Sequence, residues 1–325
     1  VLGRPFIYPP LLYWAMAWLR GIEFSQAVSA WKVAIVGLVA TGIGLAIFND
    51  RLRPRFAQIL PATALGSILF FLLPMRYSLE RGNVDALVVF ASGIGIALFA
   101  SNRLFFSGMA FAISAALKVY PAIAVLLLVI ALGLQRGVRE RRFSTFLFGL
   151  VTGTGVVALA TWPDFYRYVT EVLPAFSRER GAIQPYTHIL YKSVWSWIFL
   201  KLPILGLWTG FTRRELDQDP MLVLTGGLAI STFFQNTSND YNFITAYPFL
   251  FVLLTRWFRS EGRTTDFAIL ILTFLVFVGD RTVWIPLFGN RGVLYWQILW
   301  LFVFPIYAVK RIDKGNWPEG NLSLR

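Results

Sequence analysis

Apolar residues along this chain come in long runs closed by short polar stretches, not in the narrow stripes of a soluble amphipathic helix. The runs lie at 31–48, 57–74, 84–100, 104–117, 119–134, 143–162, 190–211, 221–235, 240–257, 266–279 and 293–309. Apolar runs of roughly 15 to 20 residues recurring from end to end exceed what a soluble core needs. The pattern predicts an all-α fold, a polytopic transmembrane helical bundle of about 10–11 membrane segments forming a single domain over 1–325. Several runs fall short of the ~20 residues that cross a bilayer. The pair 104–117 and 119–134, broken at "KVYP", is expected to form a hairpin lying partly in the membrane.

Composition supports the same class, since hydrophobic residues make up 57% of the chain and charged residues only 14%. With no cysteine and a single histidine, disulfides, thiolate metal sites, cysteine nucleophiles and histidine clusters are excluded or nearly so. No metal and no cofactor is expected. A formal charge of +13 would suit nucleic acid, but the basic residues sit in short loops between apolar runs instead of along one solvated face. No nucleic-acid partner is expected, and membrane topology explains the charge.

Alternating the runs across a bilayer places Arg51, Arg53, Arg55, Arg103, "RGVRERR" (136–142), "TRRE" (212–215), Arg256, Arg259, Arg263 and "KRIDK" (310–314) on one side. That side holds more than half of the 30 lysines and arginines, and the positive-inside rule makes it cytoplasmic, with 310–325 as a cytoplasmic tail. The opposite side receives residues 1–30, "RYSLERGNVD" (76–85), the "KVYP" turn, the loop 163–189, "NTSNDYN" (236–242) and "GDRTVWIPLFGNR" (279–291). Nearly all the residues with interesting chemistry fall there, as expected of a site on the extracytoplasmic side of an integral protein, read here as one of a bacterial inner membrane.

"RPFIYPPLLYWAMAWLRG" (4–21) has an apolar centre too short to span, a proline pair and many aromatic rings, which predicts a juxtamembrane helix lying at the interface. With no initiator methionine and no span before it, a truncated amino terminus is expected. "GLVTG" (149–153) reads as a small-xxx-small helix contact. "GIGIALFA" (93–100) lacks the third glycine and the strand context of a dinucleotide site. There is no Walker loop, HExxH motif, nucleophile elbow or long-range repeat.

In "ERGNVD" (80–85), Asn83 is placed to cap a helix starting at Val84, and Asp85 in its first turn complements the helix dipole. Arg81 then looks like a surplus cation at a helix amino terminus. A bound anion would resolve that conflict, because free backbone N–H groups and a guanidinium both bind phosphate. Lys118 lies between two apolar runs beside a proline break, where it snorkels to the headgroups, pairs with another group, or faces a wet cavity and serves a site. "RERGAIQPYTHILYKSVW" (178–195) brings His188, Tyr191 and Lys192 to the next outer helix end, as an aromatic belt or as part of the same cavity. "QNTSNDYNFITAYPFL" (235–250) adds Asp240 and Tyr241, again readable as capping. Cations for an anion, aromatic rings, and amides or carboxylates for hydroxyls together suit a lipid-linked sugar donor.

"YPPLLYWAMAWL" (8–19) resembles the juxtamembrane "PPLLYW" segment of GT-C glycosyltransferases, among them lipid A aminoarabinose transferases and protein mannosyltransferases. "RGNVDALVVF" (81–90), followed about 35 residues later by "ALKVYP" (116–121), resembles the "GQxN … KxxP" pattern of glycosyltransferase family 87, the polyprenol-phosphate-mannose-dependent mannosyltransferases and their relatives. Here "RGN" stands in place of "GQxN", so the likeness is to a divergent member. The resemblance covers roughly residues 4–260 and is strongest over 74–130.

The resemblance implies inverting transfer of mannose or a related hexose or pentose from a polyprenyl-phosphate donor to a hydroxyl of a glycolipid or glycan acceptor, among membrane lipids. Arg81, Lys118 and Arg4 would bind the donor phosphate. Asn83, Asp85, Tyr8, Tyr120, His188, Tyr191, Lys192, Asp240 and Tyr241 would line the sugar and acceptor sites. The family's catalytic aspartate precedes the "YPPL" segment, which puts it upstream of Val1 and leaves Asp85 or Asp240 as the fallback base; the chain by itself is then expected to be inactive. Two other readings remain: a lipid-linked sugar flippase or other transporter, which should carry internal repeats, and an O-antigen ligase or polymerase, which should carry a larger outer loop.

Overall fold

The computed structural model describes residues 10–47, 66–67, 70, 73–118, 120–133, 140–172, 202–216, 219–231 and 244–258. These residues are helical and connecting, with no strand among them. In chain order the helices are α1 (Pro10–Ala15), α2 (Phe24–Ile47), α3 (Leu73–Arg81), α4 (Asp85–Ala100), α5 (Leu104–Leu117), α6 (Pro121–Gly133), α7 (Glu140–Ala160), α8 (Asp164–Arg167), α9 (Leu202–Glu215), α10 (Pro220–Ser231) and α11 (Tyr247–Phe258). The fold is all-α, as expected. Two helices are long and apolar enough to cross a bilayer, Phe24–Ile47 and the stretch Arg141–Ala160 of α7, while α4, α5, α6 and α10 are shorter apolar helices. The runs at 266–279 and 293–309, and most of 57–74, lie outside the described residues.

Local sequence explains where these helices begin and end. Glu23 precedes α2 and accepts from the Ser25 backbone N–H at 3.2 Å and from the Ser25 hydroxyl; these bonds hold its carboxyl below the ordinary glutamate value. Asp219 caps α10, accepting from the Leu222 N–H at 3.1 Å, and Pro220 fills the first helical position, where a missing N–H costs nothing. Asn102, in the left-handed region at φ 59°, ends α4: its N–H donates to Phe99 O at 2.9 Å and the Arg103 N–H donates to Leu98 O at 2.8 Å.

Glycines set the closest helix contacts. A Cβ on Gly42 of α2 would stand 2.7 Å from Val89 O of α4, and one on Gly93 would stand 2.8 Å from the Gly42 Cα. A Cβ on Gly108 of α5 would lie 2.6 Å from Leu150 N, and one on Gly153 of α7 would lie 2.8 Å from the Met109 Cα. Backbones therefore touch at both crossings, which only glycine permits. "GLVTG" is such a contact, and Gly93 of "GIGIALFA" serves packing.

The same contacts give helix directions. Trp31 meets Gly82 and Gly42 meets Val89, so α2 and α4 run parallel. Gly108 meets Leu150 and Met109 meets Gly153, so α5 and α7 run parallel too. Between α4 and α5 the pairs fall in opposite order, Ser92 with Ser114 at 2.7 Å and Ser107 with the Gly95 carbonyl at 2.7 Å, so these two are antiparallel. Those are the relative directions that strict alternation along the chain requires. α5 packs mainly on α7 and α4, while α6 packs mainly on α10 and α9. α5 and α6, expected to form a hairpin, do touch one another, but each has its larger contacts elsewhere, and Gly108 of α5 is covered by α7.

Two substitutions test the crossing. Gly149→Ala, whose Cβ would meet the Phe105 backbone, is expected to destabilise by about 1–3 kcal/mol through overpacking. Gly155→Ala, with nothing within 4 Å, is expected to leave stability unchanged or raise it by up to about 1 kcal/mol through helix propensity. Thermal unfolding in detergent measures both.

Candidate functional site

One end of the bundle collects the start of α4, the break between α5 and α6, and the turn leading into α11. Asp85 opens α4 and is fully buried. A buried carboxylate is tolerated only when paired and hydrogen-bonded. Its Oδ1 lies 2.6 Å from Lys118 Nζ and accepts from the Tyr120 hydroxyl at 3.0 Å; its Oδ2 accepts from Asn83 Nδ2 at 2.7 Å. The Asp85 N–H in turn donates to Asn83 Oδ1 at 3.3 Å. Thr245, also fully buried, hydrogen-bonds to Tyr120 and joins the turn before α11 to the cluster.

Helix geometry reinforces this pairing. Asp85 stands in the first turn of α4 and Lys118 follows the last turn of α5, so each charge sits at the helix end whose dipole favours it. Lys118 adopts an extended backbone, φ −152° and ψ 145°, which breaks α5 before Pro121 begins α6. Its ammonium also lies 5.7 Å from the Tyr120 ring centroid. Lys118 retains 14% side-chain exposure while Asp85 has none. Of the ion pair, the cation is the member that an incoming group can meet.

The turn before α4 differs from the sequence reading in one respect that matters. Arg81 is the last residue of α3, not the first of the next helix. Gly82 follows at φ 61° in the left-handed region, and the Asn83 N–H donates to Ser78 O at 2.9 Å, closing a Schellman turn. A cation at a helix carboxyl end is favoured by the dipole, so the placement of Arg81 needs no bound anion. Asn83 does satisfy a backbone N–H, but that of Asp85 in a two-residue turn, and α4 begins at Asp85 rather than Val84. Arg76 pairs with Glu80 on the exposed face of α3 at 3.0 Å.

Of the sequence-predicted site residues, the structure brings Asn83, Asp85, Lys118 and Tyr120 into one cluster. Arg4, Tyr8, His188, Tyr191, Lys192, Asp240 and Tyr241 lie outside the described residues, as does the side chain of Arg81. Two contributors were not anticipated. Thr245 sits in an apolar context with no motif of its own, and Trp31, whose Nε1 donates to the Gly82 carbonyl at 3.0 Å, opens the apolar run 31–48 with nothing local to mark it. Away from the cluster, burial and then the Asp164 charge push the Tyr13 hydroxyl pKa up. Among the described residues no three His, Asp or Glu side chains come together as metal ligands.

The cluster physically joins "RGN" to "KVYP", two short segments separated by all of α4 and all of α5. The sequence profile of glycosyltransferase family 87 matches residues 6–279, most of the chain. The chain belongs to glycosyltransferase family 87. Neither the curated proteins nor the solved structures provide a match to it. Membership makes the protein a glycosyltransferase, and a membrane protein in keeping with its apolar helices. Within this family 87 chain, the two motif halves meet through a buried ion pair.

Removing one donor from the carboxylate tests its dependence on the cluster. Tyr120→Phe is expected to lower stability by about 1.5–3 kcal/mol, the range for a hydrogen bond to a charged group. Ser29→Ala, which removes only an exposed bond to the Ser25 carbonyl, is expected to change it by less than about 0.5 kcal/mol. Denaturant or thermal unfolding in detergent separates the two.

Proposed function

We propose that this glycosyltransferase moves a sugar, mannose or a related hexose or pentose, from a polyprenyl-phosphate donor to a hydroxyl of a glycolipid or glycan acceptor. Transfer takes place with inversion at the extracytoplasmic face of a bacterial inner membrane, within a bundle of about 10–11 membrane segments. The observation that carries this reading is a lysine at a break between apolar helices, partly open to solvent and held by a buried carboxylate. An intramembrane cation of that kind is suited to a phosphate at the membrane surface.

In the reaction, the acceptor oxygen attacks the anomeric carbon from the face opposite the phosphate. The bond from that carbon to the phosphate oxygen breaks, and its electron pair leaves with the lipid phosphate. Lys118 would balance the charge growing on the phosphate, with Arg81 and Arg4 as further candidate cations. The acceptor proton passes to an outer-loop carboxylate outside the described residues, for which Asp240 is a candidate. Aromatic and amide side chains, Tyr8, His188, Tyr191 and Tyr241 among them, would line the sugar and acceptor subsites.

Membranes carrying the protein together with its natural sequence upstream of Val1, incubated with a panel of labelled polyprenyl-phosphate sugars, are expected to show transfer from at least one donor above membranes lacking it. Lys118→Gln is expected to reduce kcat/KM for that donor by about ten- to a hundredfold, as loss of a charged hydrogen bond implies. Movement of the labelled donor across the bilayer without sugar transfer would instead favour a transporter.

A further inference from the structure

We infer that Asp85 is a positioning residue for Lys118 and not the proton acceptor of the reaction, an inference that rests on the polyprenyl-phosphate reading above. A general base must come within hydrogen-bonding reach of the proton it takes. Asp85 has no exposure, and both its oxygens are already engaged, Oδ1 by Lys118 and Tyr120 and Oδ2 by Asn83. Of the ion pair, Lys118 is the member that substrate can reach.

Asp85 is instead placed to hold the ammonium. Lysine is a flexible point charge on a long stem, and ordering it for one phosphate position carries an entropic penalty. Here that ordering is built in: Asn83 fixes the carboxylate from the α3–α4 turn, Tyr120 fixes it from the α5–α6 break, and Thr245 buttresses Tyr120 from the turn before α11. The exposed part of Lys118 is consequently presented at a set point relative to three chain segments. Tyr120 thereby becomes a second positioning residue, acting through Asp85.

The test is a double-mutant cycle on binding of undecaprenyl monophosphate to the protein in detergent, with thermal unfolding of each variant as the control for folding. Lys118→Gln and Asp85→Asn are each expected to weaken binding by about tenfold or more, and the double variant to bind no more weakly than either single one. Tyr120→Phe, which leaves both charges in place, is expected to weaken binding by about two- to fivefold with a folded melting transition.

Wild-type binding that persists unchanged in folded Asp85→Asn, or losses that multiply in the double variant, overturns the positioning role alone. Should Asp85→Asn fail to fold, Tyr120→Phe decides: unchanged affinity in that variant overturns the role. Absence of binding by the wild-type protein overturns the polyprenyl-phosphate reading and the positioning role with it. A donor KM that stays at the wild-type value in Asp85→Asn while kcat falls identifies Asp85 as the base and refutes the inference.

Discussion

Asp85 and Lys118, 2.6 Å apart at a break among apolar helices, form the interaction on which the described end of the molecule depends. A carboxylate with no exposure is strongly disfavoured unless its charge is balanced and its oxygens are hydrogen-bonded. Lys118 supplies the balance, Tyr120 and Asn83 supply the bonds, and the opposed ends of α4 and α5 supply favourable dipoles. Satisfying one carboxylate therefore draws together the α3–α4 turn, the α5–α6 break and, through Thr245, the approach to α11. Each partner comes from a connection between helices. The pair thus acts as a fastening for loops that would otherwise be free to move apart.

That fastening works only because the helices beneath it are held to a fixed spacing. Inside a bilayer, apolar side chains gain little by leaving lipid, so helix association relies on close packing and interhelical hydrogen bonds. Gly42 and Gly93 bring α2 and α4 into backbone contact, and Gly108, Gly149 and Gly153 do the same for α5 and α7. Ser92 with Ser114, and Ser107 with the Gly95 carbonyl, stitch α4 to α5. The outward side chains Phe148, Val151, Val156 and Leu159 of α7 are exposed, as suits a face turned to lipid. Glycine contacts set the lateral frame, and the ion pair organises one end of it.

Much of this was legible in the sequence wherever a single local pattern carried the information. Long apolar runs gave the helical class, "GLVTG" gave a packing contact, and "RGN" with "KVYP" marked the residues that meet at Asp85. Arg81 was misread because one position decides its helix: with Gly82 in the left-handed region, the residue before it ends α3 instead of starting α4. The short turn between α5 and α6 was legible, but not that the larger contacts of α5 are with α7, whose Gly149 and Gly153 let the backbones meet. Thr245 and Trp31 enter the site through contacts across long sequence separations, and neither has a local signature. That Lys118 could pair was legible, but its partner Asp85 was not, since the carboxylate has an adequate local explanation in the helix dipole.

The most direct measurement is the coupling free energy between Asp85 and Lys118 for stability, from unfolding of Asp85→Asn, Lys118→Met and the double variant in detergent. A buried pair of this kind predicts that Lys118→Met, which strands the carboxylate, costs about 3–5 kcal/mol. The double variant, which leaves no buried charge, should recover much of that loss, giving a coupling of at least about 1–3 kcal/mol. Single-variant losses that simply add in the double variant would contradict the account, because the two charges would then be held independently of one another.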